Sequence, residues 1–176
     1  MRESLQQPTP PEQSHTVASR VAFRKHPIHP MLVVYPVALL SLIVVTDGLY
    51  LWLDDDFWAI ASFWMSVAGL GTGVVAGLVG TIDLFAIREV RRHISAWNHM
   101  LAAVMVLALA AVGVWLRIGD PVAAVWPWGL LLAATTTLLV AVAGWLGGTL
   151  SFRHRVGVYG EYDPEAEADE DEPPAE

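Results

Sequence analysis

The chain has 176 residues, 55% of them hydrophobic and only 16% charged, whereas soluble domains average about 25% charged residues. It has no cysteine, which excludes disulfides, thiolate metal centres, cysteine-attached haem and a protein-held iron–sulfur cluster within this chain. The net charge of -8 is a property of the tail, because nine of the eighteen acidic residues lie between Glu161 and Glu176; it points to no nucleic-acid partner.

Residues 1–23 are polar and carry Pro8, Pro10 and Pro11. They contain no apolar run of the kind a cleavable signal needs, and they predict a disordered N-terminal tail. A membrane domain is expected over 24–158. A spanning helix takes about 20 mostly apolar residues, because the hydrocarbon core is about 30 Å thick. Four stretches qualify: about 31–53, 57–86, 95–116 and 126–150. The links between them are short, so the predicted fold is all-α, an up-down-up-down four-helix bundle in the bilayer. Residues 159–176 predict a second disordered tail, acidic and proline-containing.

Nine of the ten basic residues fall on one side of such a bundle, including Arg20, Arg24 and Lys25 before the first helix and Arg88, Arg91 and Arg92 in the second link. Only Arg117 falls on the other side, with Asp54, Asp55 and Asp56. Positive residues collect in cytoplasmic loops. Both termini are therefore expected in the cytoplasm, with the chain in a bacterial inner membrane.

The helices carry few polar groups. Gly69, Gly73 and Gly77 form a stripe on the second helix, suited to close helix packing inside the bundle or to pairing with a second copy. Gly144 and Gly148 share a side of the fourth helix with Thr137 and Ala141. The intramembrane ionisable residues are Asp47, Asp83 and His99, functional candidates because such groups are costly in lipid. Structural roles compete with that. Asp83 can pair with His99, Arg88 or Arg91, and Asp47 lies close enough to the outer end to reach water.

Five of the six histidines are predicted at the basic face: His26, His29, His93, His99 and His154, with His15 in the tail. Imidazole ligates haem iron and divalent metals. His26, His29, His99 and His154 are thus candidate ligands of a b-type haem. His26, His29, Asp83 and His99 are the alternative set for a divalent metal, with Asp83 otherwise orienting a histidine. Arg24, Lys25, Arg91, Arg92 and Arg153 would meet haem propionates. No Walker-type loop or nucleophile elbow is present, so nothing points to an enzyme of those classes. Three functions stay open: a redox module, a non-enzymatic scaffold or accessory subunit, and a small transporter or proton path through Asp47, Asp83 and His99.

His26-Pro27-Ile28-His29-Pro30-Met31-Leu32-Val33, Asp47, Gly80-Thr81-Ile82-Asp83, His99, Gly147-Gly148 and Arg153-His154-Arg155-Val156-Gly157-Val158 together resemble the bacterial membrane family termed domain of unknown function 2231. The resemblance spans about residues 24–158 and implies a four-helix inner-membrane domain. Some members are joined to a Rieske-type iron–sulfur domain, which implies electron transfer with a Rieske- or cytochrome-type partner. Two positions depart from the family pattern: Ala102 stands where Asn is frequent, and Arg155 where Gly is usual.

Overall fold

The structure, a computed structural model, describes residues 17–24 and 26–158. His15, Lys25 and most of both predicted tails lie outside the described residues. A short antiparallel hairpin opens the chain, pairing β1 (Ala22–Phe23) with β2 (His26–Pro27) through a turn at Arg24. Six helices follow: α1 (Ile28–Leu53), α2 (Asp56–Ala86), α3 (Arg88–Arg92), α4 (Ile94–Arg117), α5 (Pro121–Ala124) and α6 (Leu130–Phe152). Four are long and apolar enough to cross a membrane, the last counted together with α5 and the turn that precedes α6.

The chain punctuates these helices with ordinary capping chemistry. Asp54 ends α1 in a left-handed conformation, and the side chain of Asp55 starts α2 by accepting from the Phe57 amide at 3.0 Å. Asp120 starts α5 by accepting from Val122 and Ala123 at 3.1 and 2.9 Å. Both carboxylates satisfy amides that a helix start leaves without partners. The first helix begins three residues earlier than its apolar run predicts. Pro30 is compatible with that because first-turn amides need no helical acceptor. The fourth span is interrupted at Trp126, whose backbone is extended (φ -107°, ψ 135°), so α5 and α6 are separate pieces.

The long helices close a ring in which α2 packs on α1, α4 on α2, α6 on α4 and α1 on α6. Small residues of α2 and α4 line its interior, packed against Leu40 and Ile43 of α1. Ala59, Ser62, Ser66, Gly69 and Gly73 are buried on α2, and Ala102, Ala110 and Gly113 on α4. Large side chains such as Trp64, Leu78, Phe85, Leu101, Trp145 and Phe152 face outward. A lipid-facing surface accepts large apolar groups, while close helix approach requires small ones.

The glycine stripe of α2 is used inside the bundle. A Cβ at Gly69 would sit 2.6 Å from a Leu40 methyl, and one at Gly73 2.7 Å from a Leu107 methyl. On α6 the inward face is Ala133, Thr136 and Val140, while Ala141 and Gly144 are exposed. The small-residue side expected there is thus displaced around the helix. Thr137 gives no inward signal, because its hydroxyl donates to its own helix at the Ala133 carbonyl, 2.9 Å away.

One end of the bundle gathers the first strands, α3 and the chain after α6. Leu84, Ile87, Val90, Ala96 and Leu150 form a cluster there, with Val17 and Val156 packed on it. Val17 bridges to Val156, and the Gly157 amide donates to the Val17 carbonyl at 2.8 Å. Beside this bridge Arg155 holds a φ of 50°, the left-handed region that favours glycine. Replacing it with the glycine of the family pattern is expected to stabilise the protein by about 1 kcal/mol, read as a higher Tm in detergent. An unchanged or lower Tm would show that the Arg155 side chain contributes more than the strained backbone costs.

Candidate functional site

His29 enters from the second residue of α1 and His99 from the second turn of α4. Their rings meet in a T-shaped arrangement inside the basic end, with centroids 6.2 Å apart and planes at 81°. Each is held in the same way. His29 Nδ1 lies 2.9 Å from the Ala76 carbonyl of α2, and His99 Nδ1 lies 2.9 Å from the Ala143 carbonyl of α6. A carbonyl only accepts, so both Nδ1 atoms carry the proton. The lone pair of each neutral ring then resides on Nε2, which has no hydrogen-bond partner among the described residues. Metal-ligating histidines commonly donate their other ring N–H to a backbone carbonyl in this way.

Glycine makes room for both rings. A Cβ on Gly80 would stand 2.7 Å from His29 Cε1, and one on Gly147 would stand 3.1 Å from His99 Cε1. Two apolar cavities adjoin the pair, of about 340 and 320 Å³. The first lies towards α2 and α4, the second towards α1 and α6, and His29 and His99 line both.

The other expected ligands lie elsewhere. His26 is exposed, with Nδ1 2.8 Å from the Arg24 carbonyl. His154 stacks on His93 with ring centroids 4.0 Å apart. Partial burial, then the charges of His93 and Arg153, hold His154 below the usual imidazole range. The unfolded chain takes up that proton first, so this contact loses stability as pH falls through the ordinary imidazole range. Asp83 orients no histidine among the described residues. Its carboxylate accepts from the Ser19 hydroxyl at 2.6 Å and from the Arg20 and Val21 amides at 2.8 and 3.1 Å. It ties the incoming chain across the end of the bundle, in place of the expected pairing with His99, Arg88 or Arg91.

Asp47 requires the largest correction. It does not reach water: it is 0% exposed and paired with Arg117 Nη2 at 2.5 Å. Arg117 is the last residue of α4, not a loop residue, and is 1% exposed. Gly113 and Gly129 admit its side chain, with their added Cβ positions 3.5 and 3.1 Å from the guanidinium. Asp47 Oδ1 and Arg117 Nε are buried without partners among the described residues. This pair sits at the acidic end, remote along the helices from His99 and Asp83.

Sequence reasoning missed three parts of this arrangement: the two carbonyl acceptors, the two glycines against the rings, and Arg117. A four-helix membrane protein with a histidine pair at one end is therefore the class that fold and geometry define. The chain belongs to the family described as predicted membrane protein (DUF2231), whose model matches residues 25–160. No curated protein and no solved structure matches it.

Proposed function

We propose that this membrane protein is a redox module that binds a haem or a metal between His29 and His99. The observation that carries this is the pair of imidazoles with protonated, carbonyl-bound Nδ1 and free Nε2. In this reading His26 and His154 are not ligands, which narrows the four candidate histidines to two. The positive-inside rule puts the basic end, and hence the site, on the cytoplasmic side of a bacterial inner membrane. Bound iron would supply one-electron chemistry, passed between a donor and an acceptor of Rieske or cytochrome type in the same membrane. Arg24, Arg91, Arg92 and Arg153 are exposed at that end and would neutralise acidic substituents of a cofactor.

The test is an absorption spectrum of the detergent-purified chain after expression with haem supply, oxidised and dithionite-reduced, together with metal analysis. A Soret band or a stoichiometric metal is expected; in His99→Ala a bound haem should change to a high-spin spectrum and a bare metal should be lost, while the protein remains folded by circular dichroism. Neither a Soret band nor bound metal in the parent chain would overturn the proposal.

A further inference from the structure

The two histidines are held by parts that repeat. His29 bonds to the Ala76 carbonyl and rests against Gly80; His99 bonds to the Ala143 carbonyl and rests against Gly147. The segments concerned read Val75-Ala76-Gly77-Leu78-Val79-Gly80 and Val142-Ala143-Gly144-Trp145-Leu146-Gly147. The same spacing runs on to the far end. Asp47 follows His29 by as many positions as Arg117 follows His99, and Asp47 and Arg117, 70 residues apart, contact each other.

Burial keeps the same register. Pro36, Leu40 and Ile43 are buried on α1, and their counterparts at that spacing, Val106, Ala110 and Gly113, are buried on α4. Ser66, Gly69 and Gly73 on α2 correspond in the same way to Ala133, Thr136 and Val140 on α6. Bulk is exchanged between the halves: Leu40 fills the space over Gly69, whereas their counterparts are Ala110 and Thr136. Contacts between the halves are reciprocal, α1 with α6 and α2 with α4.

We infer that the chain is a duplicated helical hairpin, α1–α2 and α4–α6, and that its pseudo-twofold axis runs between His29 and His99 and between Asp47 and Arg117, so that one planar, metal-centred macrocycle of the porphyrin class sits on the axis and extends into both lateral cavities. The ligand half of this rests on the redox-module reading; the duplication does not.

Three observations select the macrocycle. The two cavities are each other's counterparts, one in the α2–α4 gap and one in the α1–α6 gap, and both begin at the histidine pair. Their volumes are in the range of sites that hold cofactor-sized molecules, about 300–1,000 Å³. The donor set is two imidazoles, and no cluster of three or more His, Asp or Glu exists among the described residues. A bare divalent ion wants four or more donors, while a porphyrin supplies four nitrogens and asks the protein for axial ligands only.

The far station breaks the symmetry. Equivalent positions carry opposite charges, which two identical hairpins cannot do. A fused pair can place an acid on one side of the axis and a base on the other. The charges should therefore be interchangeable.

Two experiments on the full chain test the two halves separately. In the first, the two sides of the far station are exchanged with their counterparts, Asp47→Arg with Ile43→Gly and Arg117→Asp with Gly113→Ile, each side singly and both together, because Gly113, which admits Arg117, has Ile43 as its counterpart. Each one-sided variant is expected to lose most folded protein in detergent, and the double swap to restore at least half of the parental yield and Tm. A double swap no better than the singles would overturn the duplication. In the second, haem is supplied and the cavities are plugged at counterpart positions, Thr81→Trp in one and Gly148→Trp in the other. Each plug is expected to lower haem occupancy at least tenfold with the Tm held within a few degrees. His29→Ala and His99→Ala should each convert a low-spin centre to high-spin. One silent plug would place the ligand in a single cavity and overturn the axial site. A parent chain that takes up no haem overturns the ligand class, while the charge swap still decides the duplication.

Discussion

Asp47→Leu, made alone, is expected to destabilise the protein by about 3–5 kcal/mol, the cost of leaving one partner of a buried ion pair without the other. The effect should be large because the survivor is a guanidinium, which does not shed its proton. Arg117 is 1% exposed, so the fold shields its charge from water. It would keep only its contact with the Gly113 carbonyl, 3.3 Å from Nη1. Replacing both members, Asp47→Leu with Arg117→Met, removes both charges and is expected to recover most of the loss, since apolar pairs of similar volume often match or exceed buried ion pairs. Thermal unfolding in detergent, read by circular dichroism across the two single variants and the double, measures the coupling. If Asp47→Leu costs less than 1 kcal/mol, the pair does not hold α1 to α4.

The pair also explains how much of the molecule could be read before its structure. The spans were accessible because lipid imposes length and apolarity on every one of them. The ends were only roughly accessible, because apolarity does not mark where a helix is capped, and α1 begins three residues before its apolar run. Arg117 was not, for a specific reason. Its neighbours Ile118, Gly119 and Asp120 look like a loop, and charge beside a loop is normally solvated. Only its relation to Asp47 on another helix identifies it as interior. Asp83 failed differently: its partners are two backbone amides and one serine of the incoming chain, and backbone donors leave no trace in composition. The histidine cluster was visible as a crowd at one face. Which of the five meet inside the bundle was decided by carbonyls of Ala76 and Ala143 and by the absence of side chains at Gly80 and Gly147. The repeated Val-Ala-Gly-x-x-Gly segments were the available signal for that pairing. Small residues in a membrane helix are so common that the repeat passes for packing until the histidines are seen against it.

Gly80→Val and Gly147→Val carry the second large effect, and they separate packing from ligation. At Gly80 the added Cβ alone would stand 2.7 Å from His29 Cε1 and 2.8 Å from Nδ1. The imidazole must move, and the carbonyl bond at 2.9 Å is lost with it. Overpacking of this kind costs about 1–3 kcal/mol, and losing the ring's hydrogen bond adds about 1 kcal/mol. At Gly147 the Cβ stands 3.1 Å from His99 Cε1, so a smaller shift suffices and the loss should be milder. Gly144 is the control, because nothing lies within 4 Å of its Cβ position. Gly144→Ala should leave stability unchanged or raise it by up to about 1 kcal/mol through helix propensity. Cofactor content in the same samples should follow ring position and not stability alone. Gly80→Val is expected to bind less haem than Gly69→Ala, whose Cβ meets a Leu40 methyl at 2.6 Å and disturbs packing without touching a histidine. Equal occupancy in the two would mean that the orientation of His29 is irrelevant to what the cavity holds.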